Sequence, residues 1–270
     1  MELKVTRYEP AGHIATITLD RPERMNAWTG RMHTEYRWCI AQAEADPQIR
    51  VIVITGSGRA FCAGADSRAL EGHIEKGGYD AGITGAVENP GYGVRPEFDH
   101  NFAFHFGLTK PVIAAINGPA AGVGLVLACF ADIRIAAAGA KLTTAHGKLG
   151  LPAEYGLSWL LPRLIGLTRA NDLLLSSRVV LAEEAAEMGL VNTVVPAEDL
   201  LDEAYTYALN LIATVSPASM RETKRQIYSD LHGDVGSAVG ESERLLERMM
   251  REPDFAEGVR AFIEKRQPRF

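Results

Sequence analysis

Two runs of β-branched and small apolar residues, each broken off by glycine, constrain this chain most. Val51-Ile52-Val53-Ile54-Thr55 meets Gly56-Ser57-Gly58, and Pro111-Val112-Ile113-Ala114-Ala115-Ile116 meets Asn117-Gly118. Short runs without polar alternation read as strands buried on both faces. Ile14-Ala15-Thr16-Ile17-Thr18-Leu19 alternates instead, as a strand with one buried face does, until Asp20-Arg21-Pro22 ends it. From Thr29 the period changes: Met32, Tyr36, Cys39, Ile40 and Ala43 recur at helical spacing up to Asp46-Pro47. Strands separated by helices need crossover connections, so the first two-thirds of the chain is expected to be α/β around a mainly parallel sheet.

After Pro196 no strand pattern is visible. Residues 197–215, 217–231, 234–250 and 254–266 each read as a helix with one apolar side, and Ser216-Pro217 and Pro253 mark helix starts. The expected division is an α/β core over 1–196 and a helical region over 197–270. Between Asp66 and Lys110 the sequence is rich in glycine and poor in periodicity, which reads as surface loop.

Composition bounds the partners. A chain of 270 residues with 47% hydrophobic content can bury a large core. Lys and Arg total 28 against 34 Asp and Glu, and a net charge of −6 gives a nucleic acid no electrostatic reason to bind. No apolar run reaches the length of a membrane span. Cys39, Cys62 and Cys129 are odd in number and lack CxxC spacing, so neither a disulfide framework nor a thiolate metal site is indicated, and a reducing cytoplasm fits. The N-terminus is charged from Glu2 onward, unlike a secretory leader.

The places where chemistry could occur are the two strand ends that lead through glycines into helices, Gly56 to Asp66 and Asn117 to Leu125. Small residues let a ligand approach the main chain, and free N–H groups at a helix start carry partial positive charge. Two such cradles can aim one N–H each at a single oxygen, the geometry that stabilises an enolate or a tetrahedral oxyanion. Either segment alone is better read as glycines that permit turns and close packing. Other motifs do not complete. Gly122-x-Gly124 lacks the third glycine of a dinucleotide fingerprint, and Gly147-Lys148 lacks the upstream glycine of a P-loop. His100 and His105 have no glutamate in zincin spacing, there is no GxSxG elbow, and no metal site is expected. Cys62 reads as a buried small apolar residue rather than a nucleophile.

Taken together, the segments resemble the crotonase (enoyl-CoA hydratase/isomerase) superfamily over nearly the whole chain. The landmarks stand in order: Asp20-Arg21-Pro22 with Asn26-Ala27, Ala60-Phe61-Cys62-Ala63-Gly64-Ala65-Asp66, Lys110 to Gly118, Gly122-Val123-Gly124, Asp132, and Phe255 to Arg266. The resemblance implies a crotonase-like spiral of ββα turns with a C-terminal helical oligomerisation region, a homotrimer or hexamer, and an acyl-CoA substrate whose coenzyme A is part of the substrate, with no bound cofactor.

Carried over residue by residue, the family's oxyanion hole falls on the backbone N–H groups of Ala63 and Val123. The coenzyme A contacts fall on a basic Arg24, on backbone groups at Ala27, Ala65 and Asp66 near the adenine, and on Phe262 and Lys265 from the last helix. Typical hydratases hold water with two glutamates, and those positions are Val126 and His146 here. Val126 can only pack. His146 can be a structural imidazole or a general acid or base. Glu154, eight residues on, stands where some isomerases resemble this chain in carrying an acidic base, and apolar surroundings would raise its pKa. A His146–Glu154 acid/base pair at an acyl-CoA α-carbon is therefore the expected chemistry, of hydratase or isomerase type, with the loop from Glu71 to Asn101 shaping the acyl pocket. A β-diketone C–C hydrolase using a histidine and an acid, and a non-catalytic acyl-CoA binding protein, are the alternatives.

Overall fold

The computed structural model describes every residue except Tyr79, and every side chain except those of His73, Lys76 and Tyr79. In chain order the elements are β1 (Thr6–Ala11), β2 (Ile14–Leu19), α1 (Gly30–Ala45), β3 (Val51–Gly56), α2 (Ser67–Lys76), β4 (Val112–Ile116), β5 (Ala120–Ala121) and α3 (Val123–Phe130). There follow β6 (Ile133–Ala137), β7 (Lys141–Thr143), α4 (Leu157–Ile165), α5 (Leu167–Ser176), β8 (Val180–Leu181), α6 (Ala182–Glu187) and β9 (Thr193–Val195). The chain closes with α7 (Leu200–Thr214), α8 (Pro217–Asp230), α9 (Val235–Met249) and α10 (Pro253–Glu264).

One six-stranded sheet runs in the order β1-β2-β3-β4-β6-β9, and β5, β7 and β8 form a second. Only the β1–β2 hairpin is antiparallel in the large sheet; β2 to β9 are all parallel, as the crossover helices require. The two apolar runs are buried on both faces because their side chains alternate between two packed layers. Ile52, Ile54, Val112 and Ala114 face α1 and α3, while Val51, Val53, Ile113 and Ala115 face Leu200, Ala204 and Ala208 of α7. The β2 strand, expected to bury one face, is buried along its whole length because α1 covers one side and α7 reaches Thr16 through Tyr205 on the other.

The segment 66–110 departs from the expected surface loop. It holds α2 and two short 3-10 turns at Pro96–Phe98 and Ala103–Gly107, and it buries Phe98, Phe102, Phe104 and Phe106 in the main core. Aromatic anchoring without a periodic pattern is what hid this from the sequence; Tyr79 lies outside the described residues. Asp132 ties the helical region to the sheet, accepting from Val112 N–H at 2.7 Å, Lys224 Nζ at 2.6 Å and the Tyr228 hydroxyl at 2.7 Å. Among the described residues no helix is long and apolar enough to cross a membrane.

Candidate active site

The site is built from the loops that leave β3 and β4. After β2 ends, Met25 and Asn26 both take left-handed backbone, which turns the chain back beneath the β3 loop. Buried Asn26 accepts from Arg21 N–H at 2.8 Å and donates to Ser57 O at 2.9 Å and Ala60 O at 2.7 Å. Asn117 grips the same loop from the β4 side, accepting from Gly56 N–H at 3.1 Å and donating to Gly58 O at 3.0 Å. Clamped by two side-chain amides, residues 62–64 lie alongside 119–122, with Cys62 N–H on Pro119 O at 3.1 Å and Ala121 N–H on Cys62 O at 3.0 Å.

Glycine is required where these segments touch. A Cβ at Gly124 would fall 2.1 Å from Cys62 O, and Gly122 adopts φ 49, ψ −121, a conformation L side chains avoid. Gly64 Cα stands 3.9 Å from where a Cβ of Gly122 would lie, so the two cradles share one wall.

That pairing decides which amides are free, and it corrects one expectation. Ala63 N–H is taken by Met25 O at 3.0 Å and cannot serve as an oxyanion donor. Trp28 bridges to Ala65, its N–H bonding Gly64 O at 2.7 Å and its carbonyl accepting from Asp66 N–H at 3.0 Å. In a parallel bridge the middle residue's own N–H points away from the partner strand. Ala65 N–H therefore meets no acceptor among the described residues, and neither does that of Val123, the first residue of α3 beyond the uncapped Gly122. Ala65 and Val123 are thus two of the open amides at this joint.

Two titratable side chains expected at the site lie here. The loop 150–156 doubles back through left-handed Tyr155 and Gly156, and Glu154 Oε2 comes to 3.6 Å from where a Cβ of Gly122 would lie. Burial pushes the Glu154 carboxyl above its ordinary value, and the charge of the His146 imidazole opposes that shift. His146 opens a 3-10 turn held by Ser177, whose Oγ meets Gly147 N–H at 3.0 Å and Thr144 Oγ1 at 3.1 Å. It is 5% exposed, and its Nδ1 is buried without a hydrogen-bond partner among the described residues. Val126 is fully buried on α3.

The expected coenzyme A residues divide. Asp66 is buried and binds Arg21 at 3.0 Å and Arg24 at 3.5 Å. Burial raises its pKa, but the Arg21 hydrogen bond, the Arg68 N–H and both guanidinium charges outweigh that and hold it below the usual carboxylate range. Its N–H is taken by Trp28 O, and Ala27 donates its N–H to Arg24 O while its carbonyl accepts from Arg21 Nη1 at 2.6 Å. Asp66 lines an open groove together with Arg21, Arg24, Thr29, Arg68 and Ala69. Phe262 and Lys265 are not among its walls. Phe262 projects 85% exposed from α10, and Lys265 caps that helix in left-handed backbone. Arg21, Asn26 and Asn117 were visible only as landmarks; their positioning roles depend on loops 30 to 60 residues away.

Comparison with known proteins agrees with this architecture. The enoyl-CoA hydratase/isomerase family model matches residues 9–270. A probable enoyl-CoA hydratase of Mycobacterium bovis is 40% identical over 97% of this chain and 90% of its own length. A 1,2-epoxyphenylacetyl-CoA isomerase of Escherichia coli is 38% identical over 95% and 94%. The crystal structure of an enoyl-CoA hydratase from Bacillus anthracis superposes with a TM-score of 0.85 at 30% identity over 99% of both chains. On the match along almost its full length, the chain belongs to the enoyl-CoA hydratase/isomerase family.

Proposed function

We propose that the protein is an acyl-CoA isomerase-type enzyme in which Ala65 and Val123 N–H groups receive the thioester oxygen and Glu154 moves the proton. The observation that carries this reading is the Glu154 carboxylate set against Gly122, beside the two unpaired amides. Glu154 removes a proton from the α-carbon of a β,γ-unsaturated thioester, and the electron pair passes onto the thioester oxygen. Two main-chain donors stabilise that oxyanion without rearranging. Return of the proton at the γ-carbon shifts the double bond into conjugation, and the raised Glu154 pKa suits a carboxyl that takes and gives back one proton.

Water addition asks for a second carboxylate. We read the two glutamate positions of hydratases as Val126 and His146, and a buried valine cannot hold water. His146 is positioned to steady the Glu154 charge. Arg21, Arg24 and Arg68 suit the phosphates of coenzyme A, which enters as part of the substrate. The exposed Phe262 and Lys265 suit the groove of a neighbouring copy in a homotrimer or hexamer.

The test is incubation with β,γ- and α,β-enoyl-CoA esters in deuterated water. Label is expected at the α- and γ-carbons without a hydrated product, and Glu154→Gln is expected to lower exchange at least about 100-fold with ester affinity within twofold. Hydration at a rate matching exchange, or exchange untouched in Glu154→Gln, rules the assignment out.

A further inference from the structure

A second cavity, of about 530 Å³, opens at the C-terminal end of α3, walled chiefly by Phe98, Phe106, Phe130, Tyr155, Trp159 and His232. Its size is that of a small-molecule pocket. No Leu, Ile or Val lines it among the described residues, and Ala103 and Gly156 are the small positions that leave it open. Pockets for alkyl chains need only apolar area, whereas most of this wall is rings in mutual contact, beside the polar Glu97, His100 and Asn101. Phe106 meets Phe130 at 5.0 Å and Phe98 at 5.9 Å and 79°, and Trp159 stacks on His232 at 5.1 Å. Such centroid distances are those at which a further ring adds edge-on or offset contacts. The wall is also braced from behind: Tyr228 stacks on Phe106 at 4.0 Å while its hydroxyl is held by Asp132.

The cavity adjoins the candidate site through the loop that carries Glu154, since Tyr155 and Gly156 both line it. Tyr155, which follows Glu154, meets Phe102 at 5.1 Å, and Phe102 meets Trp28 at 5.5 Å. The Trp28 main chain is the one that brackets Ala65. We infer that the cavity receives the distal end of the acyl group, and that this end carries an aromatic ring. The inference rests on the acyl-CoA reading above and adds the substrate class. A helix rises about 1.5 Å per residue, so Phe130 lies roughly 10 Å beyond Val123 along α3. The ring must then stand several carbons past the thioester carbonyl.

Titration calorimetry on the intact protein tests this with 4-phenylbutanoyl-CoA and decanoyl-CoA, which carry acyl groups of equal carbon number, and with coenzyme A itself. The phenyl ester is expected to bind at least about tenfold more tightly than the alkyl ester. Ala103→Leu, which fills the cavity, should reduce that preference below about twofold while leaving the Kd of free coenzyme A unchanged; Trp159→Leu should reduce it too, and either folded variant suffices. Equal affinities in the wild type, or a preference that survives both substitutions, overturn the ring assignment and leave the acyl-CoA reading standing. No binding of either ester or of coenzyme A overturns both.

Discussion

Glu154 and Asp66 are two carboxylates with opposite environments, and their pH dependences differ in sign. The Glu154 carboxyl titrates higher in the folded chain than in the unfolded one, so the folded state holds the extra proton. Its relative stabilisation is present below the unfolded value and is lost as pH rises through the folded value. Glu154→Gln is therefore expected to raise Tm at pH 8, by about 2–4 °C if the relief approaches 1 kcal/mol, with no gain at pH 4. Calorimetry at the two pH values decides it, and a fall in Tm at pH 8 would mean the charge is compensated. Asp66 behaves the other way. Held low by Arg21 and Arg24, it stabilises above the unfolded value, and that contribution disappears as pH falls through the folded one. Asp66→Asn should cost about 2–3 kcal/mol in urea unfolding at pH 7, and much less at the acid end.

At the scale of elements, the meeting of the 62–65 segment with the start of α3 is the vulnerable joint. Gly122→Ala would force a Cβ into backbone that only glycine adopts, at a cost of about 1–3 kcal/mol. Because the strain is relieved by rotating the first turn of α3, turnover should fall by more than the stability loss explains, with melting and steady-state rates measured on one preparation to separate them. The sheet and the long helices were legible in the sequence, since β3, β4, α1 and α3 each declare their period or their breakers. The segment 66–110 was not, because Phe98, Phe102, Phe104 and Phe106 are buried by distant partners rather than by a local pattern. Val123 entered as a donor through the family resemblance, and the start of α3 leaves its N–H open. Which of Ala63 and Ala65 keeps an open N–H was not legible, because it depends on how both pair with residues 25–28 across a gap of nearly 40 positions.

For the whole molecule, the helical end leaves apolar surface without a cover in one chain. Phe255, Val259, Phe262 and Ile263 on α10 are 46%, 41%, 85% and 72% exposed. Exposed apolar residues along one helix face are what an association surface requires, and the proposed homotrimer or hexamer would use them. Sedimentation equilibrium is expected to return three or six times the 29.3 kDa chain mass. Phe262→Glu combined with Ile263→Glu should lower that mass and raise the KM for CoA esters several-fold while Tm moves little; an unchanged mass would set the surface aside.

The frame that brings the two open amides together has a bearing on how such a chemistry can change over generations. Asn26, Asn117, Gly122 and Gly124 hold peptide groups in place without contributing side chains to the reacting carbon. On the mechanism proposed above, variation at positions 126, 146 and 154 exchanges one proton-handling group for another while carbonyl activation passes intact to the descendants, so the backbone would be the heritable part of the catalyst and the surrounding side chains its adjustable part.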